Sequence, residues 1–211
     1  MSIIRTRKRS QNMAAAAQVL GLSYSPWIGP ESAPRFQTAL FQNCAGTALK
    51  NVMTGKYAGL DVQAFDYSPT TGNPGSTTTS AQTVAVYSQN VDLPVFALAP
   101  PSLAGTIIDA LQHQRVDLDH SGPDGEYAVH GPEEDKIRAL FSGSVPSFLG
   151  SLGCGNGWHI EGAGKTLAVY RYGYCVQPAE LRDFLQETSS IAQAFFAGAG
   201  GKAAAVAAST S

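Results

Sequence analysis

Three consecutive stretches decide the fold: Leu60–Tyr67 (LDVQAFDY), Ser68–Ser80 (SPTTGNPGSTTTS) and Gln82–Ser88 (QTVAVYS). In the first, Leu60, Val62 and Ala64 alternate with Asp61 and Gln63, the period of a half-buried strand, and Phe65 and Tyr67 continue it. The second has no apolar side chain apart from its prolines and predicts a mobile hairpin loop. The third is rich in β-branched and aromatic residues and predicts the return strand. Upstream, Thr47–Tyr57 followed by the turn signal Ala58-Gly59 supplies a preceding strand, and the first β region is expected near Ala45. Downstream, Leu93–Leu98 reads as a further short strand closed by Pro100-Pro101. Hairpins connected this closely pair antiparallel.

Helical signals surround this β region. Leu103, Ile107, Ala110 and Leu111 recur at helical spacing within Pro101–Gln112. Glu133, Glu134 and Asp135 give an acidic first turn to a helix carrying Ile137, Leu140 and Phe141. A turn or two of helix is expected at Val145–Leu152, and a short strand at Tyr127–His130. Trp158–Glu161 and Thr166–Tyr172 flank Gly162-Ala163-Gly164-Lys165, which predicts a second hairpin. Pro178–Phe196 is the clearest helix, with Pro178 at its start and Leu181, Phe184, Leu185, Ile191 and Phe195 on one stripe. Strands that precede helices and alternate only loosely with them predict an α+β fold, antiparallel hairpins packed against a few helices with a long C-terminal helix. The expected organisation is a basic arm and short helix over residues 1–22, then a single α+β domain over 23–196 that could divide into packed subdomains at 45–112 and 113–196. A disordered Ala/Gly tail is expected over 197–211.

The chain has 211 residues, of which 44% are hydrophobic and only 14% charged, with a formal net charge of -2. That balance excludes a bulk-basic nucleic-acid binder and an acidic disordered chain. The charge is unevenly placed. The 42 residues Tyr67–Ile108 carry one charge, Asp92, whereas the 27 residues Asp109–Asp135 carry eight acids and one base. No run of 18 apolar residues occurs, so no membrane-spanning helix is predicted. The segment Met13–Leu22 is too polar for a signal peptide, interrupted by Gln18 and rich in Ala, and reads as a short helix closed by Gly21. The expected location is the cytoplasm, with weak contact to an anionic membrane through Arg5, Arg7, Lys8 and Arg9.

The motifs that invite chemistry fail in detail. Gly162–Thr166 (GAGKT) mimics the end of a phosphate-binding loop, but His159 stands where the first glycine belongs and a strand, not a helix, follows the lysine. Asp117-x-Asp119-x-Ser121-Gly122 copies the first half of an EF-hand loop, but Ala128 stands where the bidentate Glu belongs. Asp117, Asp119, Asp124 and Glu126 are therefore only weak metal candidates, and no cofactor is predicted. Cys154 in GCGNGWH faintly matches a papain-like nucleophile, but no His follows His159 and no cation or helix N-terminus activates the thiol. The odd count of Cys44, Cys154 and Cys175 is no disulfide framework. The four His (His113, His120, His130 and His159) lack helical metal spacing. Tyr67, Tyr87, Trp158, Tyr170 and Tyr172 are expected to pack in the sheet, because basic residues are not interleaved with them as an RNA-stacking face requires.

Several short strings follow one order: Asn51-Val52-Met53-Thr54-Gly55, Phe65-Asp66-Tyr67, Gln82-Thr83-Val84-Ala85, Leu93-Pro94, Asp117-Leu118-Asp119, Gly157–Gly162 (GWHIEG), Val169-Tyr170-Arg171 and Pro178-x-x-Leu181. Over about residues 12–196 the chain thereby resembles a family of uncharacterised bacterial proteins of unknown function, often membrane-anchored. The resemblance implies a transmembrane helix ahead of a basic stretch and a short helix; here the stretch RTRKR and the helix are present and the anchor is not. It supplies no catalytic residue, and it implies that the acidic stretch and the Trp158 hairpin belong to a common fold. The expected function is a non-catalytic interaction or scaffold domain with a protein partner. The alternative is a small-ligand binder or enzyme with a site between sheet and helices, for which Asp66, His120, Glu126 and His159 are the polar candidates.

Overall fold

The computed structural model describes residues 3–42, 47–73, 76–100, 115–118, 127–151 and 157–209. Helix α1 (Ile3–Val19) leads into strand β1 (Ser23–Ile28), the one-turn helix α2 (Ala39–Gln42), and strands β2 (Leu49–Tyr57) and β3 (Leu60–Tyr67). The Thr-rich segment after β3 forms two short strands of its own, β4 (Thr70–Asn73) and β5 (Ser76–Thr79), before the long β6 (Gln82–Ala99). Strands β7 (Arg115–Val116) and β8 (Ala128–His130), helices α3 (Glu134–Phe141) and α4 (Val145–Ser151), strand β9 (Trp158–Arg171) and helix α5 (Leu181–Ser209) complete the chain. The class is α+β with a wholly antiparallel seven-stranded sheet and a long C-terminal helix.

The sheet runs β1-β2-β3-β6-β8-β7, and β9 pairs with β6. β6 is the spine. One of its edges takes β3 at residues 82–88 and β8 at residues 97–99, and its other edge is lined by β9. The predicted hairpin at Gly162–Lys165 does not form. β9 is one continuous strand, and Gly164 (φ +56°) sits instead at a shift in its register with β6. Continuity lets Trp158 and Ile160 on one half, and Leu167 and Val169 on the other, reach the same core. Gly162 is required for another reason: a Cβ there would lie 2.3 Å from the Phe96 ring. Leu93–Leu98 is likewise the second half of β6, not a separate strand.

Each sheet face has its own core. On one face Met53, Val62, Ala64, Ala85, Tyr87, Leu98, Ile160, Leu167 and Val169 pack under α1, α3, α4 and α5. Phe195 stacks on Phe96 with centroids 5.4 Å apart, and Phe141 meets both edge-on. On the other face Val52, Phe65, Tyr67, Val84, Val86 and Tyr170 are covered by the chain from Ala33 to Phe41, hereafter the strap. Phe36 and Phe41 of the strap lie 5.9 Å from Phe65, ring to ring. Alternation in β3 therefore holds only to Ala64; from Phe65 onward both faces are buried.

Three boundaries differ from the sequence reading. The basic arm is not separate: α1 begins at Ile3 and carries Arg5, Arg7, Lys8 and Arg9 within the helix. It ends as expected at Gly21 (φ +71°), where Leu22 N–H reaches back to Ala17 C=O. Strand β1, which the sequence does not announce, pairs with β2. The predicted end of the C-terminal helix at Phe196 is passed, and α5 continues to Ser209 through Gly198, Gly200 and Gly201, beyond which the alanines of Ala203–Ala208 have high helix propensity. The helix predicted at Pro101–Gln112 lies outside the described residues.

Candidate functional site

Two buried carboxylates, one on each face of the sheet, are the main polar features. Asp66 on β3 faces α1. The bulge at Asn51 (φ +49°, a conformation Asn tolerates) turns that side chain toward it. Asp66 accepts four hydrogen bonds: from Arg9 Nε at 3.0 Å and Nη2 at 2.9 Å, from Asn51 Nδ2 at 2.7 Å and from Thr83 Oγ1 at 2.7 Å. The network extends through Tyr24, whose hydroxyl donates to Asn51 Oδ1 at 2.7 Å and pairs with Ser10 Oγ at 2.6 Å. Thr83 Oγ1 also accepts Val176 N–H at 2.9 Å, which ties the chain entering α5 to β6. The bidentate Arg–carboxylate fork is the strongest geometry for such a pair. Every lone pair of Asp66 is thus directed at a group that docks α1 or the approach to α5. Cys175, half-buried beside this pair, has its thiol pushed up by burial and then by the Asp66 charge, which disfavours the thiolate.

Glu161 on β9 faces the strap. Its Oε1 accepts the Tyr170 hydroxyl at 2.6 Å and its Oε2 accepts Leu40 N–H at 2.8 Å, at the start of α2. Burial raises its carboxyl above the usual range, opposed by those hydrogen bonds. Burial, and then the Glu161 charge, raises the Tyr170 phenol well above its own. His159, two residues before Glu161 on the same strand face, is fully buried. Its ring stacks on Tyr170 at 5.0 Å and lies 6.0 Å from Tyr172. Neither ring nitrogen has a hydrogen-bond partner among the described residues. Burial lowers its pKa from 6.5 to about 4, so the imidazole is neutral at pH 7.

These placements decide the fate of the sequence candidates. Asp66 and His159 occupy opposite faces of the sheet and do not converge. Asp117 is exposed, 3.9 Å from Arg115, while Asp119, Asp124, Glu126 and His120 lie outside the described residues, as do Cys44, Cys154 and His113. No group of three or more His, Cys, Asp or Glu among the described residues could hold a metal ion. Lys165 of the GAGKT string donates to Asn90 Oδ1 at 2.6 Å from a strand. Tyr67, Tyr87, Trp158 and Tyr170 are buried in the sheet, and Arg171 caps Trp158 with its guanidinium 4.0 Å from the ring centre. Arg9 is withdrawn from the basic arm by Asp66, whereas Arg7 and Lys8 remain exposed.

Sequence reasoning passed over two surface features. The first is a groove of about 420 Å³ where the strap stops short of the β2–β3 turn. Across β2, β3 and β6 its floor is made of two rows, Thr54–Gln63–Val86 and Lys56–Asp61–Ser88, and Phe36 is its wall. Lys56 and Asp61 pair at 2.7 Å on its rim. The second is Trp27, 58% exposed on β1. Among the described residues no strand pairs with the outer edge of β1. The sequence signal for the groove was the Asp61/Gln63 alternation, which marks those side chains as leaving the helix-covered core; Trp27 had none, because β1 itself was not foreseen.

No family model matches the chain, and no curated protein matches it. Among solved structures it is similar to the crystal structure of the mycobacterial trehalose monomycolate transport factor A, TtfA. The TM-score is 0.57 at 13% sequence identity, covering 89% of this chain and 96% of that one. At that identity the likeness is one of fold.

Proposed function

We propose that the chain is a non-catalytic interaction domain that docks a protein partner beside the outer edge of β1. Trp27 carries the reading. An indole left 58% exposed at a sheet edge is the kind of side chain that anchors protein interfaces. The neighbouring Pro26 lacks an amide hydrogen, which discourages indiscriminate strand addition and favours recognition through the side chain. Asp66 accepts from Arg9 of α1 and Glu161 from Leu40 N–H of the strap, alongside donors from the sheet itself, a structural use of the polar residues. The fold neighbour's name, a transport factor, is in keeping with binding rather than turnover. The proposed location is cytoplasmic, at the membrane surface. No helix among the described residues is long and apolar enough to cross a membrane. Exposed Arg7 and Lys8 offer an anionic surface about 1 kcal/mol each.

A photo-reactive amino acid placed at position 27 and, as control, at Lys136 tests the reading in cells that natively express the chain. A discrete adduct formed from position 27 and not from position 136, and lost in competition with the unlabelled protein but not with its Trp27→Ser variant, is the expected result. Equal labelling from both positions, or none from position 27, overturns it.

A further inference from the structure

The groove beneath Phe36 has a composition that selects its ligand. Its floor is a patch of three strands on which Thr54 and Gln63 sit side by side with Val86 next in their row, and Ser88 stands in the neighbouring row beside Asp61. Thr54, Gln63 and Ser88 are each half-buried, and none of their side chains hydrogen-bonds another described residue. A hydroxyl, an amide and a second hydroxyl give both donors and acceptors, with Gln63 alone offering two N–H groups and a carbonyl. The site carries no net charge, because Lys56 is matched by Asp61 at 2.7 Å. A phosphate or other anion would have to displace that carboxylate. A purely apolar ligand would cover unpaired polar groups, a cost of about 1–3 kcal/mol for each one left unsatisfied. What remains is a neutral molecule with hydroxyls around its edge and one apolar face. Phe36 is turned toward the groove as the wall for that face, fixed by its contact with Phe65 (interplanar angle 10°).

We propose that this groove binds a neutral saccharide, with the C–H face of one ring on Phe36 and ring hydroxyls on Gln63, Thr54 and Ser88. The volume of about 420 Å³ lies within the range of small-molecule sites, and Phe36 alone among its lining residues comes from outside β2, β3 and β6. Lys56 and Asp61 stand on the rim, where a charged donor and a charged acceptor can serve hydroxyls of either polarity without a change in net charge. The site is on the opposite sheet face from α1, and the inference does not depend on the proposed protein partner.

The test is a titration of the full ¹⁵N-labelled chain with maltose, cellobiose and trehalose, followed by amide chemical shifts, with glycerol and inorganic phosphate as controls. The expected result is saturable binding of at least one disaccharide, with shifts centred on Gly55, Gln63 and Ser88. Gln63→Leu should weaken it about tenfold, the effect of one or two lost hydrogen bonds. Phe36→Ala should abolish it. Because Phe36 also packs on Phe65, Ser88→Val, a floor change outside the buried core, provides the independent check and should weaken binding several-fold. No saturable shift with any of the disaccharides, shifts elsewhere on the chain, equal response to glycerol or phosphate, or affinity unchanged in Gln63→Leu each overturns the proposal.

Discussion

Protonation of one buried residue, His159, should loosen this protein in acid. Its ring is fully buried against Tyr170 and Tyr172, near Glu161, and no described group accepts a proton from it. The folded state therefore holds it neutral, with a pKa lowered from 6.5 to about 4 by burial. For a base depressed in this way, the stabilisation is complete above pH 6.5 and is lost as pH falls from there toward 4, because only the unfolded chain takes up the proton readily. A shift of about 2.5 units corresponds to about 3.4 kcal/mol in full, and at pH 4.5 to about 2.6 kcal/mol. That is a large fraction of the roughly 5–15 kcal/mol that holds a domain together. Glu161 acts with the opposite sign. Its raised pKa means its contribution is present at low pH and lost as pH rises through the folded value, so it opposes the His159 effect in the wild-type profile. The His159 share is isolated by comparing wild type with His159→Phe, which keeps a ring on Tyr170 and has nothing to protonate. Urea unfolding followed by Trp fluorescence at pH 7 and pH 4.5 should show the wild type losing about 2–3 kcal/mol more than the variant. Parallel losses in the two proteins would refute the assignment.

Three further outcomes follow from the contacts. Arg9→Ala leaves the Asp66 carboxylate with two donors and no countercharge; urea unfolding at pH 7 should show a loss of about 2–4 kcal/mol, while Arg7→Ala changes stability by less than about 0.5 kcal/mol. Glu161→Leu removes the acceptor for Leu40 N–H and for the Tyr170 hydroxyl, so amide exchange across the strap should accelerate at least tenfold relative to β3, with Glu161→Gln much milder because an amide oxygen still accepts. Gly162→Ala drives a methyl into the Phe96 ring at 2.3 Å and should cost about 1–3 kcal/mol by thermal unfolding, most of it recovered by the double variant with Phe96→Leu.

The hairpin at the heart of the sheet was legible because its evidence is local: the alternation at Leu60–Ala64, the turn at Ala58-Gly59 and the β-branched return strand need no distant partner to be read. The helices at Glu134–Phe141 and Leu181 onward were legible for the same reason, an apolar stripe behind an acidic first turn. What the sequence hid is non-local. The glycines of Gly162–Lys165 imitate a turn, yet their roles depend on Phe96 and on the register with β6, more than sixty residues away in the chain. β1 was missed because Ser, Pro and a lone Trp give no period; its strand character comes from pairing with β2. Asp66 and His159 were identified as polar candidates, but nothing in the spacing of residues 66 and 159 tells that a sheet lies between them. Glu161 was read as a strand residue only; its burial against Leu40 required the strap, whose own sequence has no regular pattern.

The two carboxylates belong to one design problem. Each sheet face is closed by a segment with weak reasons of its own to stay. α1 buries only Met13 and Ala17 fully among its described side chains, the rest being polar residues, small alanines and the exposed Val19, and the strap runs into a single four-residue helix. An apolar contact alone would let either cover slide, since hydrophobic attraction has no direction. A buried carboxylate does have direction. Asp66 accepts from Arg9 only when α1 lies at one rotation and height, and Glu161 accepts from Leu40 N–H only when α2 begins at one point above β9. Replacing either set by apolar residues of equal volume could leave stability unchanged, as buried ion pairs often do. The loss would be one of registry: α1 free to rotate on the helical face, and Phe36 no longer held at the edge of the groove. The buried carboxylates thus fix where the covers place Arg7, Lys8 and Phe36, while Trp27 and the groove floor are held by the sheet itself.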